Sequence, residues 1–148
     1  MATTNTLPVR AGTTDAAYAT GRLRVVVVDD SADLRDLICT LLEAEYQLHV
    51  VGRASDGTEA LAMVAELQPD LVLSDLNMPK MDGFALTAII TRHFPTITVV
   101  LMSGDDSPNI RAEGAACGAH AFIHKPKLSR ELAVTLKQVC LAGSAGNA

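Results

Sequence analysis

Five short apolar runs, each ending in a polar residue and most followed by a segment of helical period, leave this chain few folds to choose from. The first run, residues 23–28, is continuous and β-branched and ends in Asp29-Asp30. A run that is apolar at nearly every position reads as a strand buried on both faces, which is the mark of a parallel sheet. Residues 31–45 follow with Leu34, Leu37, Ile38, Leu41 and Leu42 at helical spacing, and Asp30 or Ser31 is placed to cap their start. The alternation then repeats. Residues 48–54 predict a strand, Asp56-Gly57 a turn, and 58–67 a helix closed by Pro69. Residues 71–74 predict a strand running into Asp75, and 84–93 a helix stopped before Pro95. Residues 97–102 run into Ser103, and 109–117 make a weak helix with Gly114 inside it. Residues 121–124 form a short strand leading to Lys125-Pro126, and 129–141 a last amphipathic helix.

Strands alternating with helices predict an α/β fold with a doubly wound, five-stranded parallel sheet and helices on both faces. The order 2-1-3-4-5 is one of the two common arrangements. At 148 residues and 49% hydrophobic, the chain is long enough for one core without staples. Aromatics are only 3% of it, so that core must be aliphatic. The domain is expected over 23–142. Residues 1–22, Thr-rich and without hydrophobic period, are expected to be a disordered tail, and 143–148 a flexible one.

Composition excludes several classes. Cys39, Cys117 and Cys140 are odd in number and widely spaced, with no C-x-x-C, which argues against a disulfide framework or a zinc site. His49, His93, His120 and His124 have no metal-ligand spacing and read as surface or satisfied histidines. The net charge of -5 comes with no run of Lys or Arg, so direct nucleic-acid binding is not expected. No apolar run approaches the roughly 18 residues of a membrane span, and the N-terminus lacks a signal peptide's apolar core. Reduced thiols and the absence of these signals place the expected location in the cytoplasm.

In an open parallel sheet, ligands bind outside the C-terminal ends of the strands. Those ends carry Asp29 and Asp30 (first strand), Asp75 (third), Ser103 (fourth) and Lys125 (fifth). Three carboxylates brought together at ~5 Å would repel by roughly 3 kcal/mol per pair at an effective dielectric near 20. Such a group calls for a cation or a proton. An all-oxygen site favours Mg²⁺ or a similar hard ion, which leaves positions open for phosphate oxygens. Lys125 adds a point charge suited to phosphate, Ser103 adds a hydroxyl, and Gly104 allows close backbone approach.

Four segments carry a resemblance: Val-Val-Val-Asp-Asp at 26–30, Asp-Leu-Asn-Met-Pro-Lys-Met-Asp-Gly at 75–83, Met-Ser-Gly at 102–104, and Gly-Ala-His-Ala-Phe-Ile-His-Lys-Pro at 118–126. In this order, most of them at strand ends, they resemble the receiver domain of two-component response regulators, whose fold is the flavodoxin-like (βα)5 type. The resemblance implies Asp75 as the phospho-acceptor, with Lys125 and Ser103 assisting. It implies Mg²⁺, or Mn²⁺, held by Asp29, Asp30, Asp75 and the backbone carbonyl of Asn77. Ser103 and Phe122 take the switch positions, Gly83 the turn after the acceptor loop, and Pro126 a cis-proline that aims Lys125. Ser103 stands where Thr is commoner, and Phe122 lacks a tyrosine hydroxyl. The implied partners are a sensor histidine kinase or a histidine phosphotransfer protein, then a downstream protein or a second copy docking on the 109–141 face. No separate substrate turnover is implied. The segment at 50–57 also looks like receivers that precede a helix-turn-helix domain, so a receiver fragment of a DNA-binding regulator is the alternative. A flavodoxin-like cofactor binder would need a Gly/Ser/Thr phosphate loop where Asp29-Asp30-Ser31-Ala32-Asp33 stands. A phosphatase with an Asp nucleophile would need Asp-x-Asp on the first strand and a cap insertion.

Overall fold

A computed structural model of the chain describes residues 23–147. Five strands, β1 (Arg24–Val28), β2 (His49–Ala54), β3 (Leu71–Asp75), β4 (Thr98–Ser103) and β5 (Ala121–His124), form one sheet in the order β2-β1-β3-β4-β5. All four pairings are parallel. Between and after them run α1 (Ala32–Glu45), α2 (Gly57–Leu67), α3 (Gly83–His93), α4 (Pro108–Cys117) and α5 (Leu128–Asn147). This is the expected doubly wound (βα)5 fold.

Alternation along the strands splits the core in two. Val25, Val27, Leu71, Leu73, Val100, Met102 and Ile123 face α1 and α5 and pack on Ile38, Leu42, Leu132 and Leu136. Val26, Val28, Val72 and Val99 face the other way, onto Ala60 and Val64 of α2 and Leu86 and Ile90 of α3. Each such aliphatic side chain contributes about 1.5–3 kcal/mol when fully buried, so the central strands anchor the domain. Helix α4 differs: Gly114 is its one buried residue.

Four helices begin where a side-chain oxygen accepts an amide three residues on. Ser31 caps α1 through Leu34, Asp56 caps α2 through Glu59, Asp82 caps α3 through Ala85, and Ser107 caps α4 through Ile110. Each cap is worth about 1 kcal/mol. Of the two residues offered for the first helix, Ser31 is the one used.

Two expectations are corrected. The last helix passes 141 and runs to Asn147, so the expected flexible tail at 143–148 is helical up to that residue. The residues beyond 142 are small, but even a helical glycine costs only about 1 kcal/mol and does not forbid the turn. Among the described residues no peptide bond is cis, so Pro126 does not take the expected cis form. It sits at the start of a 3₁₀ turn, Lys125–Lys127, where the ring's fixed φ fits and no amide donor is needed. The tail predicted at 1–22 lies outside the described residues. Among the described residues, no helix is long and apolar enough to cross a membrane.

Candidate functional site

Strand register brings the site together one step at a time. Val28 pairs with Ser74, so Asp29 and Asp75, each one residue further on, end level on neighbouring strands. Asp75 pairs with Met102, which places Ser103 one step beyond. Ser103 pairs with His124, which places Lys125 one step beyond again. The four polar residues thus climb along one edge of the sheet.

Asp29 is fully buried. Its N–H donates to the Ala54 carbonyl at 3.0 Å, and its Oδ1 accepts the Ser31 N–H at 2.9 Å. Its carbonyl accepts from the Arg35 guanidinium at 2.7 Å. Asp75 is also buried. Its Oδ1 accepts the Leu76 N–H at 2.8 Å, and its carbonyl accepts the Ser74 hydroxyl at 2.8 Å. Lys125 Nζ lies 2.9 Å from Asp75 Oδ1 and 3.0 Å from Asp29 Oδ2, bridging the two carboxylates. Asp29 Oδ2 has no hydrogen bond beyond this ionic contact. Asp30 is exposed, yet one carboxylate oxygen each from Asp29, Asp30 and Asp75 lie within 4.8 Å of one another.

The electrostatics follow. Burial pushes the Asp75 carboxyl above the usual carboxylate range; the hydrogen bond and charge of Lys125 oppose this, while Asp29 adds to it. For Lys125, burial acts to lower the pKa, but the hydrogen bonds and charges of Asp75 and Asp29 outweigh it and the group is raised. Lys125 is thereby held as a cation between two acids. One lysine does not neutralise three carboxylates, and an all-oxygen cluster with an unfilled lone pair fits a hard divalent cation.

The acceptor loop, residues 76–82, is pinned from two directions. Gly83 donates its N–H to Leu76 O at 2.8 Å. A Cβ on Gly83 would stand 2.5 Å from the Asp75 carbonyl oxygen, so only glycine fits the turn. On the other side Gly57 donates to Met81 O at 3.1 Å, and a Cβ there would stand 2.3 Å from that oxygen. Lys80, at φ 69°, reaches to 3.7 Å from Asp56. Asn77 is exposed on this loop.

Ser103 is fully buried, and its Oγ accepts the Asp105 N–H at 3.0 Å. Phe122 is half-buried beneath Arg111, whose guanidinium lies 4.9 Å from the ring centroid. Gly104 departs from expectation: a Cβ added there meets nothing within 4 Å, so no close approach demands a glycine at this position. Of the histidines, His120 is satisfied as expected, its Nδ1 accepting the Val99 N–H at 3.1 Å. His124 is not a bystander, because its Nε2 reaches the Gly104 carbonyl at 3.1 Å. Arg35, Asp56, Gly57, Lys80, Asp106, Arg111 and His124 escaped the sequence reading as site-supporting groups. Each acts across a turn or between elements, where no local spacing reveals the contact.

Comparison with known proteins bears on the family and the fold. The sequence profile described as "Response regulator receiver domain" matches residues 25–137. A curated relative, "Protein-glutamate methylesterase/protein-glutamine glutaminase 3" of Geobacter sulfurreducens, is 42% identical over 106 residues, covering 71% of this chain and 28% of that protein. The chain thus spans less than a third of that relative's length. The response regulator domain of Thermotoga maritima CheB superposes with a TM-score of 0.74 at 31% identity, covering 80% of this chain and 96% of that one. The chemotaxis response regulator CheY4 of Vibrio cholerae gives 0.73 at 31% identity, covering 80% and 98%.

Proposed function

The chain belongs to the response regulator receiver domain family, and on that premise we propose that it is a phospho-accepting switch with Asp75 as acceptor. The observation that carries this reading is the bridge from Lys125 to the buried carboxylates of Asp29 and Asp75 at the C-terminal ends of β5, β1 and β3. A carboxylate held there is oriented by the Leu76 amide and backed by a fixed cation.

The donor in this reading is the phosphohistidine of a sensor histidine kinase or phosphotransfer protein. A free oxygen of Asp75 attacks phosphorus, an O–P bond forms, the N–P bond breaks, and the imidazole leaves with its electron pair. Lys125 shifts from the carboxylate to a phosphoryl oxygen, so its charge follows the charge being transferred. Asp29, Asp30, Asp75 and the Asn77 carbonyl would hold Mg²⁺ or Mn²⁺, which neutralises phosphoryl oxygens when bound. Ser103 donates to the phosphoryl group once formed, and Phe122 follows it inward. The chain assists its own phosphorylation and hydrolysis and turns over no other substrate. It acts in the cytoplasm, and output passes through the 109–141 face to a protein partner or a second copy. The curated relative is named for methylesterase and glutaminase activities, which gives no support to the DNA-binding alternative.

Acetyl phosphate with Mg²⁺ tests the acceptor. Intact-protein mass should rise by one phosphoryl group in the wild type and not at all in a folded Asp75→Asn variant. A normal gain in that variant would move the acceptor elsewhere.

A further inference from the structure

The peptide unit joining Gly104 to Asp105 is gripped at both ends. Its N–H donates to Ser103 Oγ at 3.0 Å. Its C=O faces His124 Nε2 at 3.1 Å, and since a carbonyl only accepts, Nε2 carries the proton and donates. The unit is planar and rigid, so its two ends cannot adjust separately. Little else near Gly104 restrains it: the residue is exposed, with open space where a Cβ would sit.

A second hold lies next to the first. Asp106 Oδ1 accepts from Arg111 Nε, and Arg111 in turn lies over Phe122. Asp106 Oδ2 is 4.0 Å from His124 Nδ1, which is buried and has no hydrogen bond. Two side chains of β5, at 122 and 124, thus hold the loop between β4 and α4 from below. None of these contacts is used by the acceptor chemistry.

We propose that His124, with the Asp106–Arg111 pair beside it, latches this loop in its resting position and so sets how readily Ser103 moves toward a phosphoryl group on Asp75. The latch rests on the acceptor reading given above. When the Ser103 hydroxyl turns to a phosphoryl oxygen, the Asp105 amide must follow or be abandoned. To follow, the peptide plane must tilt, and tilting breaks the His124 bond. His124 is therefore a positioning residue for the switch, and it opposes switching.

Beryllofluoride with Mg²⁺ is a suitable probe because it mimics the phosphoryl group without turnover. His124→Val removes the donor and suits a strand, whereas His124→Gln keeps an N–H near the Nε2 position. His124→Val should bind beryllofluoride about two- to tenfold more tightly than wild type, the fold-change for losing one net hydrogen bond from the resting form. His124→Gln should stay within about twofold. Without ligand, amide exchange at Asp105 should be faster in His124→Val only. Arg111 is partly exposed, so Arg111→Ala should fold, and it should tighten binding in the same direction by less. If His124→Val does not fold, Arg111→Ala and His124→Gln carry the test. Variants that match a wild type binding normally would overturn the latch alone. A wild type that fails to take up beryllofluoride would overturn the acceptor reading and the latch with it.

Discussion

Around Asp75 the chain is held by buried groups. β1 and β3 are buried at every position, two glycines admit no Cβ, and Lys125 sits between two acids. Around Phe122 it is held by exposed or half-exposed ones. There α4 buries only Gly114, β5 buries only Ile123, and the loop between β4 and α4 hangs on His124, Asp106 and Arg111. The difference separates two tasks. A site that positions a nucleophile must not move, since misplacement of about 1 Å is costly to chemistry. A face that reports on the site must have two arrangements close in free energy, which well-packed cores do not offer.

The same substitution made in each region puts this contrast to its sharpest test. In Gly83→Ala the new methyl would meet the Asp75 carbonyl oxygen at 2.5 Å and Leu76 Cα at 2.9 Å, both backbone. It should destabilise the domain by about 1–3 kcal/mol, the range for overpacking a filled site. Gly104→Ala meets open space at a residue without positive φ. It should be neutral or stabilising by up to about 1 kcal/mol, because it restricts the unfolded chain. Chemical denaturation of the two variants reads the difference directly. Equal losses in both would break the contrast between a rigid acceptor edge and a loose switch face.

The legible part of this molecule follows the same division. The alternation of apolar runs with helical segments announced the five strands, whereas their order was one of two common arrangements until the structure gave it. Residues at strand ends announced Asp29, Asp75, Ser103 and Lys125, because parallel register carries every strand end to one edge. The contacts that hold the loops were not legible. Arg35 reaches back to the Asp29 carbonyl, and Gly57 at the start of α2 meets Met81 of the acceptor loop, neither at a spacing that local pattern reveals. His124 looked like any histidine beside a strand, and only the fold puts Gly104 within its reach. The small residues after 142 misled in the other direction, since even a glycine costs a helix too little to end it.

A smaller effect is expected in backbone dynamics. If the loose face is the responsive one, beryllofluoride with Mg²⁺ should change amide exchange mainly between residues 103 and 125. Helix α1, packed through Ile38, Cys39 and Leu42, should change little. Gly114 helps, since a helix interior glycine costs about 1 kcal/mol against Ala and leaves α4 marginal. The exposed Ala112, Ala115 and Ala116 leave room for a partner to approach closely. Exchange changes concentrated at 32–45, with 103–125 silent, would invert the comparison and exclude the proposed output face.

The smallest effect belongs to Arg111, and its dependence on pH separates the two things that residue does. The hydrogen bond from Arg111 holds the Asp106 carboxyl below the usual carboxylate range. A group lowered in the folded state contributes stability above its unfolded value, and that contribution is lost as pH falls through the folded value. The pair is exposed, so the contribution is small and screened by salt. The stack on Phe122 behaves differently, because the guanidinium stays charged throughout and the ring does not titrate. Arg111→Ala should therefore lower the thermal midpoint slightly near neutral pH, and by less in acid, without the loss disappearing. Carboxyl titration by NMR should show Asp106 rising toward the usual range in the variant. A loss of equal size at both pH values would mean that the Asp106 pair holds nothing. A loss that vanished in acid would mean that the stack on Phe122 holds nothing, and the loop would then be tied to β5 through His124 alone.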